Sequence, residues 1–288
     1  MEKLLFHFNH YVTQHSNSIH TQKQYRLDMN HFIKKMNVTA IEQFEQAVLS
    51  YKNMLEKERY SISTINRKLA SLKKFLHFLQ TMGNTQFTHL LSAEELKPDS
   101  IDLGELESLT SHQLKLVLQF WQMKGQRALT KEHQWLAKRN EVIVHFIKET
   151  AIKPAELVRI QWLNIEHELA QITGTRSGRT VTISPKLQQL LKDYLEETRI
   201  FMPDSEASPY VWLGVRNKRG KPITTKTIER VFASMSKELN FQVTATMLRY
   251  YSISEMDATQ MQKNTEEYGY ARKSVLTERQ NRMPHYNK

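Results

Sequence analysis

The segment 61–75 carries the side chains of this chain that are best suited to contact a nucleic acid. Apolar residues recur at helical spacing through Ile65, Leu69, Leu72 and Phe75, which predicts the buried face of a helix. The opposite face is predicted to carry hydroxyl, amide and basic groups: Ser63, Thr64, Asn66, Arg67, Lys68, Ser71, Lys73 and Lys74. Hydroxyls at a helix start can meet phosphates, and asparagine and arginine can bind base edges. A basic face that is only solvated would show the same pattern, so this helix alone does not establish nucleic-acid binding.

A second set of basic residues lies in the other half of the chain. Arg176 and Arg179 lie in and beside a predicted hairpin tip. A turn around Gly220 holds further basic residues before a predicted helix: Lys218, Arg219 and Lys221. A basic turn that leads into a helix N-terminus suits a phosphate-backbone clamp, although a solvated loop is equally compatible with it.

Composition limits the function classes. The net charge of +11 and the pI near 9.6 favour a polyanionic partner such as DNA. There is no cysteine, no apolar run of membrane-spanning length and no secretory leader, so we expect a cytoplasmic protein. The glycine patterns of nucleotide-binding folds are missing, and the 12 histidines form no convincing metal cluster. We therefore expect neither a cofactor nor a metal.

Helical periodicity predominates among the elements that must position these groups. It weakens at residues 89–107, where Pro98 and Gly104 lie, so this segment is predicted to link a helical domain at 1–88 to a second domain at 108–288. Strands are predicted at 169–173 and 180–183, around a polar loop. The expected fold is mainly α with a small β-hairpin.

The order of these motifs resembles that of the tyrosine recombinases, the phage integrase family. The resemblance rests on Tyr25, Arg26, Leu27 and Asp28 in a row and on the run from Ser63 to Leu69. The first domain is similar to the family's core-binding domain, and the chain from about Leu109 resembles its catalytic domain. The resemblance implies double-stranded DNA as the partner, held between two domains.

In that family a tyrosine attacks a phosphodiester, assisted by two arginines, a histidine and a hairpin lysine. Only Glu156 and Arg249 match the family's pattern in kind. The other catalytic positions that the resemblance assigns hold different residue types, with Arg279 at the place of the nucleophile: Lys153, Thr175, Thr246, Tyr270 and Arg279. We therefore expect a site that binds phosphate, with Lys153 and Arg249 as contacts, and that does not cut DNA.

The leading hypothesis is a sequence-specific DNA-binding regulator, a repressor of a prophage or mobile element. The resemblance also implies a C-terminal tail that packs on a neighbouring subunit, although here the tail can equally lie on DNA. One alternative is a divergent recombinase that uses Tyr270 or Tyr286 as its nucleophile. Another is an accessory protein to an active recombinase.

Overall fold

Two separate hydrophobic cores divide the chain in the computed structural model into unit 1, Met1–Asp102, and unit 2, Leu103–Lys288. The structure describes residues 1–16, 18–100, 107–173, 178–205, 208–255 and 273–282. Each unit buries its own apolar side chains, as a domain does. The predicted two-domain architecture is confirmed.

Serine caps set the starts of two helices of unit 1. Its α-helices are α1 (Glu2–His15), α2 (Ile19–Lys35), α3 (Phe44–Lys57) and α4 (Ile62–Thr81). The hydroxyls of Ser18 and Ser61 accept hydrogen bonds from the backbone N–H groups of Thr21 and Thr64, which satisfies donors at the first turns of α2 and α4. Just after α4, Gly83 has a φ of +80°, a conformation that glycine adopts without strain.

Phenylalanine rings form much of the core of unit 1. The ring centroid of Phe44 lies 5.7 Å from that of Phe32 and 5.6 Å from that of Phe75. Phe8 meets Phe75 edge-on at 5.0 Å. Aromatic pairs of this kind add about 0.5–1.5 kcal/mol per pair beyond the burial of area, and the two pairs that Phe75 makes fix α4 against α1 and α3.

The segment predicted as a linker, 89–107, begins inside unit 1, so the first domain extends beyond residue 88. Short 3₁₀ turns at Thr88–Ser92 and Glu94–Leu96 bring Leu90 and Leu96 into its core. Two leucines on short turns give no helical periodicity, so the sequence pattern alone does not show that this stretch belongs to the core. Residues 101–106 lie outside the described part of the chain.

A long central helix organises unit 2. Within its described residues, the α-helices of this unit are α5 (Ser111–Gln126), α6 (Lys131–Thr150), α7 (Pro154–Leu157), α8 (Pro185–Phe201), α9 (Thr225–Leu239), α10 (Ala245–Ser254) and α11 (Lys273–Asn281). Helix α6 packs against α5, α8 and α10. The buried Trp135 of α6 donates from Nε1 to Thr198 Oγ1 of α8 at 2.9 Å, which fixes their register.

An antiparallel sheet of three strands completes unit 2: β1 (Ile165–Glu166), β2 (Leu169–Thr173) and β3 (Gly178–Thr182). In the β2–β3 pair, Leu169 lies opposite Thr182 and Thr173 lies opposite Gly178. The predicted hairpin and the mainly α fold class are confirmed, whereas β1 was not predicted because it has only two residues. No described helix is long and apolar enough to cross a membrane.

Candidate nucleic-acid interface

The outer face of α4 presents fewer of the predicted DNA-binding side chains than its sequence indicates. Ser63 is exposed in the first turn, and the Arg67 side chain is 41% exposed one turn later. The hydroxyl of Thr64 accepts a hydrogen bond from Ser61 at 2.9 Å. Lys73 and Lys74 are partly buried, and Lys74 Nζ lies 5.0 Å from the ring centroid of Tyr11. Arg67 and Ser63 are therefore the best presented of the set.

The sequence predicts that Asn66 offers its amide to a base edge, but in the structure this amide is already paired. Its Nδ2 donates to the carbonyl oxygen of Asp99 at 2.9 Å, and its Oδ1 accepts from the backbone N–H of Asp99 at 3.0 Å. Lys52 holds the Asp99 carboxylate at 2.5 Å. Asn66 therefore ties the end of unit 1 to α4.

The prediction that Lys68 lies on the outer face of α4 is wrong, because its side chain turns inward and is only 6% exposed. Its ammonium group lies 3.5 Å from the carboxylate of Asp28 on α2. Ser71, predicted on the same outer face, donates to Asp28 at 2.8 Å and is buried as well. Burial lowers the pKa of Lys68 although the neighbouring Asp28 raises it.

A group of cations forms where α6 ends in unit 2. Ala151 ends α6 with a φ of +46°, which turns the chain toward Lys153 and Pro154 at the start of α7. The carboxylate of Glu156 reaches back and accepts from the backbone N–H of Lys153 at 3.0 Å. Lys153 Nζ lies 3.6 Å from the same carboxylate.

Arg179 approaches Glu156 from β3. Its guanidinium donates to Glu156 Oε2 at 3.0 Å, and its side chain is 7% exposed. Burial raises the pKa of the Glu156 carboxyl, but the hydrogen bond and charge of Arg179, with help from Lys153, outweigh burial and hold this pKa below its ordinary value. Glu156 therefore stays anionic and anchors two cations.

Arg249 lies on α10 and is buried. Its Nε donates to the carbonyl oxygen of Ala151 at 2.6 Å, so it braces the end of α6. Burial lowers the pKa of Lys153, and the charges of Arg249 and Arg179 lower it further, against the opposing effect of Glu156. The charges of Arg179 and Arg249 thus both act on Lys153. We call Lys153, Arg179 and Arg249, together with Glu156, the Glu156 cluster.

The other residues predicted at this site differ from one another in exposure and contacts. Thr246 is exposed near the start of α10. Arg279 of α11 donates to the hydroxyl of Tyr250, and its guanidinium carbon lies 5.2 Å from that ring's centroid. Thr175, Arg176, Tyr270 and Tyr286 lie outside the described residues.

A tight turn at residues 216–221, the basic turn, presents cations before α9. Backbone bonds close it, since Gly214 N–H donates to the Lys221 carbonyl at 2.8 Å. Lys218 and Lys221 are exposed. Arg219 instead donates to the Phe201 carbonyl at 2.7 Å and covers the Phe201 ring, so its guanidinium is already engaged with α8.

Sequence reasoning missed the residues that organise these cations. In the sequence, Asp28 stands out only as part of a motif, and no pattern marks Asp99 or Phe201. Their roles depend on contacts between elements far apart in the chain, for which one sequence carries no signal. Within the described residues, no group of three or more histidine or acidic side chains is placed to hold a metal ion.

Known proteins resemble this chain over both units. A model of the phage integrase N-terminal SAM-like domain matches residues 6–83, and the phage integrase family model matches residues 107–265. Tyrosine recombinase XerC of Roseiflexus sp. is 22% identical over 84% of this chain and 76% of its own length. The TnP I resolvase of Bacillus thuringiensis is also 22% identical, over 85% of this chain and 82% of its own.

Solved structures share the fold at low sequence identity. A lambda integrase fragment crystallised as a dimer on a COC′ core site superposes with a TM-score of 0.71 at 12% identity, over 99% of this chain and 96% of the fragment. XerH recombinase bound to its difH substrate gives 0.63 at 14% identity, over 90% and 76% of the two chains. With its second unit matched over most of its length by the family model, the chain belongs to the phage integrase family of tyrosine recombinases.

Proposed function

We propose that this protein binds duplex DNA with sequence preference, holds the phosphate backbone at the Glu156 cluster and does not cleave it. The observation that carries the proposal is the pairing of Lys153 and Arg179 with the buried carboxylate of Glu156, with the charge of Arg249 acting on Lys153 beside them. A cationic group of this kind suits an anionic phosphate. The relatives and structural neighbours, which are named as recombinases and in several cases described as DNA complexes, support DNA as the ligand.

The residue types support binding without cleavage. A guanidinium, here that of Arg279, cannot serve as an oxygen nucleophile, and the neutral hydroxyl of Thr246 cannot place a positive charge on a phosphorane as a histidine does. Lys153 offers charge without the bidentate fork of arginine. Such a protein would occupy its site without rearranging it. We propose that it thereby regulates transcription from a promoter that overlaps the site, as a repressor carried by a mobile element.

A nicked suicide duplex provides the test. We expect salt-sensitive complexes and no covalent protein–DNA adduct after denaturation. An adduct that disappears on Tyr270→Phe or Tyr286→Phe would instead establish strand cleavage and identify the nucleophile. The bound duplex should first be recovered from genomic fragments by the wild-type protein. Fragments that cluster at promoters support regulation, whereas a single attachment-like locus supports recombination.

Recombination by a divergent site is the second candidate. It is favoured by the family itself, since the named relatives are recombinases and a resolvase. The two candidates share DNA binding and differ only in whether a tyrosine–DNA bond forms, which the suicide duplex decides directly.

A further inference from the structure

The carboxylate of Asp28 gathers the polar side chains that α4 turns toward α2. It accepts hydrogen bonds from Arg67, from Ser71 at 2.8 Å and from Lys68 at 3.5 Å. Gln24, on Asp28's own helix, donates to it at 3.1 Å. The Asp28 side chain is 3% exposed, whereas that of Arg67 is 41% exposed. The buried carboxylate of Asp28 therefore fixes the partly exposed guanidinium of Arg67 through one of its nitrogens.

This arrangement leaves Arg67 able to bind further. A guanidinium has five N–H donors in a rigid fork, and the hydrogen bond to Asp28 is made through Nη1. Donors that remain can address a base edge, which needs a well-fixed approach because two hydrogen bonds must form at once. A charge-assisted bond to a buried carboxylate supplies such fixing.

The same carboxylate opposes indiscriminate binding. A phosphate must compete with Asp28 for the Arg67 guanidinium, and the negative charge of Asp28 repels the backbone. A base edge needs only the outer donors of the fork and leaves the bond to Asp28 in place. The contact with Asp28 thus disfavours phosphate binding more than base binding.

We propose that Asp28 is a positioning residue that sets the DNA sequence preference of unit 1 through Arg67. This inference rests on the proposed DNA-binding function and adds a determinant of its specificity.

The test compares two duplexes: one recovered from a randomised library by the wild-type protein and a scrambled duplex of equal length and composition. In the full chain, we expect Asp28→Asn to lower the ratio of the two affinities by about fivefold or more, mainly through weaker binding of the recovered duplex. If Asp28 acts through Arg67, the same change in an Arg67→Ala background should alter the ratio by less than about twofold. A merely structural Asp28 would shift both backgrounds equally.

Two further variants separate positioning from folding. Asp28→Asn leaves the Lys68 ammonium buried without a charged partner, which destabilises a fold. The double variant Asp28→Leu with Lys68→Met removes both buried charges and should keep the cooperative thermal transition while it still loses the sequence preference. Gln24→Ala removes another donor from the same carboxylate without touching Arg67, so we expect it to keep the wild-type ratio.

The outcomes distinguish the two claims. A wild-type protein that recovers no preferred sequence overturns both the proposed sequence preference and the role of Asp28. A wild-type protein that recovers one, while Asp28→Asn keeps the ratio or lowers it equally in the Arg67→Ala background, overturns the role of Asp28 alone. A folded Asp28→Leu, Lys68→Met variant that loses the sequence preference supports the role of Asp28, and a folded one that keeps the preference overturns it.

Discussion

Basic residues of this protein fall into two kinds that the sequence does not distinguish. Lys68, Arg179 and Arg249 are buried or nearly so and hold the fold through Asp28, Glu156 and the Ala151 carbonyl. Arg67 and the basic turn lie at the surface. Removing a buried cation leaves its buried partner unpaired and lowers the stability of the fold. Removing a surface cation changes mainly the electrostatic attraction of a ligand. Variants of the two kinds should therefore differ in stability as well as in binding.

Arg67→Ala and Asn66→Ala form a matched pair on α4. We expect Arg67→Ala to weaken binding of the preferred duplex by about 1–3 kcal/mol, with a smaller effect on scrambled DNA. Asn66→Ala should instead lower the free energy of unfolding by roughly 1 kcal/mol, because the backbone N–H and carbonyl of Asp99 both lose their hydrogen-bond partner. The sequence preference should remain. Equilibrium binding and urea unfolding measure the two effects. An equal loss on both duplexes would make Arg67 a phosphate contact only.

Arg249→Ala should affect both stability and binding. Loss of the hydrogen bond to the Ala151 carbonyl leaves a buried acceptor unsatisfied, which costs about 1–3 kcal/mol. If Arg249 also contacts phosphate, the slope of log affinity against log salt should become shallower by about 1. Salt titrations of DNA binding, read beside thermal melts, separate the two roles. A lower melting temperature with an unchanged salt slope would contradict phosphate contact.

At the level of elements, the sequence predicted type and order better than surfaces. The β2–β3 hairpin and helices such as α9 follow from periodicity and turn residues. The outer face of α4 did not, because the partner of Lys68 and Ser71 is Asp28, some 40 residues earlier. A helical wheel places polar residues opposite the apolar stripe, and only the tertiary packing of α2 shows which of them are inside. The resemblance predicted Lys153 and Arg249 at one site, but the ion pair between Glu156 and Arg179 was not predicted, since the two residues lie on separate elements.

Helix α6 carries a histidine whose titration links pH to stability. Burial, assisted by the charge of Lys186, lowers the pKa of His145 from 6.5 to about 4 although a backbone hydrogen bond at Leu118 opposes the shift. The unfolded chain thus binds a proton in the window from about pH 6.5 to 4 that the folded chain does not, so stability falls as pH falls through that window. We expect a loss on the order of 1 kcal/mol between pH 7 and pH 5 from this group.

The measurement is urea unfolding across that pH range for the wild type and for His145→Gln. The variant should lose less stability on acidification than the wild type. Equal acid sensitivity in both proteins would show that His145 does not titrate differently in the folded and unfolded states.

For the whole molecule, the net charge of +11 matters through the part of it that meets DNA. Counterion release makes the affinity depend on the number of phosphates neutralised, so a protein with many contacts should lose roughly 10³-fold or more in affinity between about 50 and 200 mM salt.

The two exposed lysines of the basic turn, Lys218 and Lys221, are expected to be among those contacts. Changing both to alanine should make the salt slope shallower by about 2 and leave the melting temperature within error, since neither side chain is buried. Lys192→Ala with Lys237→Ala removes the same charge from exposed positions on α8 and α9 and is the matched control. If the control flattens the slope as much as the basic-turn variant does, the attraction is a property of overall charge and the basic turn is not a DNA contact.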